Sequence, residues 1–120
     1  MTMYELATIV ENQLPIKIAL INNRNLGMVR QWQHFFFQNN YVATDFQNNP
    51  DFVKLAEAYG ILGLRVTDKD QVMLTIEKAI DHPGPALIDF VVDPEEFVYP
   101  IIPAGQTIAE LMEEPVEERV

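Results

Sequence analysis

Apolar positions change period along the chain, and the changes mark its elements. Met3, Leu6, Ala7, Val10 and Leu14 recur at helical spacing, which predicts an amphipathic helix over residues 3–12, ended by Pro15. Residues 16–21 are apolar and rich in β-branched side chains except for Lys17, the pattern of a strand buried on both faces. Residues 27–38 read as a second helix. Asn49 can cap a third, with Pro50 at its first position, Phe52, Leu55, Ala56 and Tyr59 on one face, and Gly60 just past its end. Residues 61–66 form a short strand. Thr67 and Asp70 then have the spacing of a capping box, and the helix behind them puts Val72, Ile76, Ala79 and Ile80 on one side. His82-Pro83-Gly84-Pro85 stops that helix, and residues 86–92 are the third strand.

Strands alternating with helices imply an α/β fold: a three-layer parallel sheet with flanking helices. Beyond Asp93-Pro94 the chain is punctuated by proline up to Pro103, with a short helix expected at about residues 106–112. The domain is expected to span residues 1–112, and residues 113–120 to form an acidic tail that frays.

Composition narrows the function classes. At 120 residues the chain is one domain or a piece of one. Its formal charge of −10 and eight scattered basic residues argue against nucleic acid, which needs clustered Lys and Arg. A divalent cation would still let an acidic surface bind a diphosphate. Cysteine is absent, which excludes disulfides and thiolate chemistry. No basic segment followed by an apolar stretch opens the chain, and no apolar run approaches the ~20 residues of a membrane span, so a cytoplasmic protein with no membrane contact is expected.

The richest stretch for chemistry is Asn22-Asn23-Arg24-Asn25-Leu26-Gly27-Met28-Val29-Arg30-Gln31-Trp32-Gln33. Two amides sit at the end of a strand, where ligand sites of open α/β sheets form. An asparagine oxygen is a neutral, hard ligand suited to magnesium beside a diphosphate. From the dipeptide alone, a polar turn after a strand is the commoner meaning. Gly27 permits close backbone approach or is a plain turn glycine. Met28 and Trp32, four apart, share a helical face that Phe35 and Phe36 extend; from spacing alone that stripe is core packing. His34 and His82 are 48 positions apart with no carboxylate arranged around either, so no triad or zinc site is argued. Asp89, inside an apolar strand, is expected at an edge or strand end.

This stretch resembles the end of the thiamine-diphosphate motif of acetolactate synthase catalytic subunits (acetohydroxyacid synthases). The likeness continues through Met1-Thr2-Met3-Tyr4-Glu5-Leu6-Ala7 upstream. Downstream it runs through Asn49-Pro50-Asp51-Phe52-Val53-Lys54-Leu55-Ala56, Gly63-Leu64-Arg65-Val66, Gly84-Pro85-Ala86-Leu87-Ile88-Asp89 and Val98-Tyr99-Pro100, to about Leu111. The resemblance implies the C-terminal part of a thiamine-diphosphate-binding domain, with thiamine diphosphate and magnesium as cofactors. On it, Asn23 gives its side-chain oxygen and Asn25 its backbone carbonyl to magnesium. Gly27 and Met28 border the cofactor, and Met28 and Trp32 wall the pocket of the second 2-oxoacid. None of these residues is implied to be catalytic.

The implied activity is that of a transferase: condensation of two pyruvates to 2-acetolactate, or of pyruvate with 2-oxobutyrate, in branched-chain amino-acid biosynthesis. The implied partners are the remaining domains of the catalytic subunit, a second copy of it and the 2-oxoacid substrate. The family's acidic glycine turn is expected just before Met1. Its activating glutamate and its FAD are expected in parts outside these 120 residues, so the isolated chain is expected to be inactive. The alternatives are another thiamine-diphosphate enzyme (carboligase, oxidase or decarboxylase) or a non-catalytic α/β interaction module using the face of residues 32–37.

Overall fold

The computed structural model describes residues 2–115. Most of the acidic tail expected at 113–120 therefore lies outside the described residues. The elements follow in the order α1 (Glu5–Glu11), β1 (Lys17–Asn22), α2 (Gly27–Phe36), α3 (Phe52–Ala58), β2 (Leu62–Val66), α4 (Val72–Asp81) and β3 (Ala86–Val91). Three-residue 3₁₀ turns at Lys69–Gln71 and Ile108–Glu110 complete them. The strands form one parallel sheet in the order β1-β3-β2, with Ala86 level with both Lys17 and Leu62.

Helices lie on both faces, giving the three layers that the alternation implies. On one face Leu6 of α1 and Ala56 of α3 pack with Ile61 and Leu87, bordered by Ile9, Val10, Ile18 and Phe52. On the other, Ala79 of α4 packs with Val66, Ala86 and Ile88, bordered by Leu64, Val72 and Ile76. Successive β3 side chains feed opposite layers, as strand geometry requires.

Gly63 marks a close approach of α3 to the sheet. A Cβ there would lie 2.7 Å from the Val53 carbonyl oxygen. Gly63→Ala should destabilise the fold by about 1–3 kcal/mol, the usual cost of overpacking. A thermal melt unchanged from wild type would show that α3 rides over the added methyl freely.

Several expectations need correcting. β1 is not buried on both faces. It lies at the sheet's edge among the described residues, and Ile21 is 65% exposed. The reason is that α4 packs on β2 and β3 and leaves that side of β1 uncovered. Ile80 is 64% exposed for the same kind of reason: Ala79 is the residue α4 presses onto the sheet. The cap of α3 is Asp51, whose carboxylate accepts from the Val53 and Lys54 N–H groups, so Pro50 precedes the helix. Asn49 instead donates its amide to Asn22. The Thr67–Asp70 box does not form; Asp68 caps the 3₁₀ turn leading into α4. A capping box does occur at Thr107 and Glu110, over a helix shorter than the one expected. No helix among the described residues is long and apolar enough to cross a membrane.

Candidate functional site

At the carboxyl end of β1 the two adjacent asparagines part, because neighbouring side chains of an extended chain point to opposite faces. Asn22 is buried and turns toward β3, where its Nδ2 donates to Asp89 Oδ1 at 2.9 Å. Asn23, half-buried, enters a tight turn. Its Oδ1 accepts from the Asn25 N–H (3.1 Å), and Asn25 Nδ2 donates to the Asn23 carbonyl (2.8 Å). Arg24 between them adopts the left-handed conformation, φ +58°. Residues 44–46 pair with the turn: Leu26 N–H donates to the Thr44 carbonyl and Phe46 N–H to the Arg24 carbonyl, each at 2.9 Å.

Gly27 opens α2 directly against this turn. A Cβ there would lie 2.9 Å from Asn23 Nδ2, so glycine is what lets the Asn23 amide sit over the helix start. The turn borders a cleft of about 300 Å³ lined by Asn23, Arg24, Asn25, Arg30, Asp45 and neighbours. Asn23, Asn25 and Gly27 thus sit together. Met28, one residue on, borders a different hollow.

Helix α2 is held by its polar side. Its buried residues are Arg30 and Gln31, while Met28 and Trp32 are 57% and 51% exposed. The Arg30 guanidinium pairs with Asp45 at 2.7 Å and with Glu95, and lies 3.9 Å over the Tyr41 ring. Burial works against its charge. The hydrogen bond and charge of Glu95, joined by those of Asp45, outweigh that and raise its pKa. Gln31 grips the backbone of Val98 twice: Nε2 donates to the carbonyl (2.9 Å) and Oε1 accepts from the N–H (3.1 Å). Phe35 leaves the Met28–Trp32 face and packs on Phe97 and Tyr99, with ring centroids 5.5 and 5.6 Å away. His34 Nδ1 lies 2.9 Å from the Tyr41 hydroxyl.

These contacts lay the segment after β3 along α2. Between them runs an apolar groove of about 780 Å³, lined by Met28, Trp32, Phe36, Ile101, Ile102 and Met112 among others. The Met28–Trp32 stripe is therefore the wall of a groove and not core packing.

Asp89 corrects a further expectation. It stands in the central strand, 1% exposed, not at an edge. Arg65 Nε donates to its Oδ2 at 3.0 Å, and Arg65 Nη2 reaches Asp51 at 2.8 Å. The hydrogen bond to Asp89 chiefly, with that to Asp51, raises the Arg65 pKa against the effect of burial. The Asp51 carboxyl lies below its ordinary range, first through the Lys54 N–H and then through Arg65. Sequence reading missed Arg30, Gln31 and Arg65. The one signal for the last was a carboxylate inside an apolar strand, which requires a cation near it.

A bound ion can be tested against these donors. Among the described residues no three His, Cys, Asp or Glu gather as metal ligands. The turn instead offers neutral amide oxygens. Asn23 Oδ1 has one lone pair engaged and one left, the kind of ligand that suits magnesium when phosphate oxygens complete the shell. The cleft beside the turn has room for such a group.

Comparison with known proteins identifies the family. The family described as "Thiamine pyrophosphate enzyme, C-terminal TPP binding domain" matches residues 1–90. The large subunit of acetolactate synthase isozyme 2 from Escherichia coli is 44% identical over 113 residues, covering 94% of this chain and 21% of that protein. Acetolactate synthase from Mycobacterium leprae is 47% identical over 117 residues (92% and 19%). The mitochondrial acetolactate synthase of Schizosaccharomyces pombe is 41% identical over 108 residues (90% and 16%). The chain thus spans about a fifth of the length of the curated relatives it matches. The solved thiamine diphosphate-dependent 4-hydroxybenzoylformate decarboxylase of Rhodococcus jostii superposes with a TM-score of 0.68 over 76% of this chain and 17% of that one. At 24% identity that likeness shows the fold alone.

Proposed function

The chain belongs to the thiamine pyrophosphate enzymes, as their C-terminal cofactor-binding domain, and we propose that it does this work in an acetolactate synthase large subunit. The observation that carries the reading is that one helix, α2, joins an oxygen-bearing turn to an indole-walled groove. Gly27 at its start clears room for Asn23, and Met28, the next residue, and Trp32, about a turn further on, line the groove. Asn23, through its side-chain oxygen, and Asn25, through its backbone carbonyl, would hold magnesium on the diphosphate. Thiamine diphosphate, when bound, supplies the carbanion chemistry.

The residues of this chain bind, orient and select. Arg30 and Gln31 fix α2, so that the turn and the groove keep one relation to each other. Met28 and Trp32 present an apolar wall that suits the alkyl group of a 2-oxoacid. FAD, the remaining domains of the subunit and a second copy of it belong to the same reading, in a cytoplasmic setting. The identities of 41–47% with acetolactate synthases favour that activity over the carboligase, oxidase or decarboxylase readings. The non-catalytic rival draws on the exposure of Trp32, Phe36 and Phe37. It leaves the Asn23 turn without a role.

The test is to incubate the full-length protein that carries this chain with magnesium, thiamine diphosphate, FAD and pyruvate, with and without 2-oxobutyrate. Magnesium-dependent binding of thiamine diphosphate and formation of 2-acetolactate are expected. Release of acetaldehyde alone would move the protein to a decarboxylase. No binding of the cofactor would leave the interaction module.

A further inference from the structure

The buried carboxylate of Asp89 has no part in the reading above, and it is joined to the cofactor turn by an unbroken chain of hydrogen bonds. Asp51 caps α3 and accepts from Arg65, Arg65 Nε donates to Asp89, and Asp89 accepts from the Asn22 amide. The Asn22 oxygen, facing the other way, accepts from Asn49 Nδ2 at 2.9 Å and from the Arg24 N–H at 3.2 Å. Arg24 is the left-handed residue between Asn23 and Asn25.

We infer that Asp89, held by Arg65, is a positioning residue that orients the Asn22 amide and through it the turn presenting Asn23 and Asn25. The inference rests on the reading of Asn23 as a magnesium ligand. A carboxylate accepts and does not donate, so the NH₂ end of Asn22 must face Asp89 and the oxygen must face Arg24. A non-glycine residue keeps a left-handed backbone only where its surroundings hold it, and the Asn22 oxygen is the group that receives the Arg24 N–H. Asp89 is buried between Asn22 of β1 and Arg65 of β2, and both its oxygens meet donors. Arg65 lies on the same side of the sheet from β2, so α3, β2 and β3 all bear on one amide of β1. Groups behind a metal ligand set its orientation in this way.

The experiment uses the full-length protein. Asp89→Asn keeps the size of the side chain and replaces one acceptor by a donor. Its oxygen stays with Arg65, so its NH₂ group meets that of Asn22. If Asn22 turns over instead, donors meet at Arg24 and Asn49. Thiamine-diphosphate affinity at saturating magnesium, read by calorimetry, should fall about 10–100-fold. The reversed pair N22D/D89N lets every donor meet an acceptor again and should bring affinity back to within a few-fold of wild type. Arg65→Lys keeps the charge but loses the two-ended fork between Asp89 and Asp51, and should weaken binding in the same direction.

A merely structural Asp89 would lower the melting temperature and leave the affinity of the folded fraction unchanged, which overturns the proposal. So does N22D/D89N binding as weakly as D89N. If D89N does not fold, an unchanged affinity in R65K overturns it. Asn23→Ala, measured alongside, separates the two layers of the argument. Affinity lost in N23A but kept in D89N refutes the positioning role alone. Affinity kept in N23A removes the ligand reading and the positioning role with it.

Discussion

Asn23→Ala in the full-length protein should weaken magnesium-dependent binding of thiamine diphosphate by roughly 10–150-fold while changing the melting temperature little. The magnitude is that of one charge-assisted contact, about 1.5–3 kcal/mol. The side chain is half-buried at the rim of a cleft, and the hydrogen bond it accepts comes from its own turn. Asn22→Ala should combine a smaller loss of affinity with a clear loss of stability. Asn22 is buried, and its removal leaves one oxygen of the Asp89 carboxylate without its donor, which costs on the order of 1–3 kcal/mol of stability or more. Its effect on affinity should be the smaller of the two, since it acts only through the shape of the turn. Calorimetric titration and a thermal melt on both variants check the contrast. Equal losses of affinity with equal shifts in melting would mean that the two amides act as one structural unit, and the assignment of Asn23 as the ligand would fail.

The contrast between these neighbours also shows what was legible in the sequence. The strand was readable from residues 16–21, and the end of a parallel strand is where a ligand-bearing turn belongs. That two adjacent amides must diverge follows from strand geometry alone. Which of them turns inward does not, because it depends on Asp89, 67 residues later, standing two positions along from Asn22 across the ladder. Parallel register of that kind leaves no local trace. The expectation of an edge position for Asp89 rested on the cost of burying a charge. The chain meets that cost with Arg65 from β2, a pairing set by the strand order β1-β3-β2.

Helix α2 failed differently. Periodicity identified Met28, Trp32 and Phe36 as one face, and they are one face. It could not say which face is covered. The segment after β3 settles that, by packing Phe97 and Tyr99 on Phe35 and offering its backbone to Gln31. The polar side is anchored and the apolar side is left to line a groove. A helix presented in this inverted way is a sign of a binding surface, since exposed aromatic residues otherwise carry a cost in solubility.

Trp32→Leu should therefore alter substrate choice and spare both fold and cofactor. The indole is 51% exposed in a groove of about 780 Å³ and faces Ile101, Ile102 and Met112 of the segment that returns along α2. A fully buried aromatic truncated in a core typically costs about 3–5 kcal/mol. A half-exposed one has far less to lose, on the order of 1 kcal/mol, half of the ~1.5–3 kcal/mol for burying a large apolar side chain. The contact that the indole offers to an alkyl group is the larger stake for function. A single methylene distinguishes 2-oxobutyrate from pyruvate, and one methylene in an apolar pocket is worth roughly 1–3 kcal/mol. Cutting the indole to an isobutyl group widens the groove and removes apolar area that the longer substrate would use. Discrimination in favour of 2-oxobutyrate should fall by about 5–30-fold, the equivalent of 1–2 kcal/mol. Affinity for thiamine diphosphate should stay within a few-fold of wild type, because the indole lines the groove and not the cleft beside the Asn23 turn. Competing the two 2-oxoacids in one reaction, with a melt recorded on the same preparation, reads both quantities. An unchanged product ratio together with a melting temperature lowered as far as a core truncation lowers it would return Trp32 to the hydrophobic core and leave the groove without a substrate.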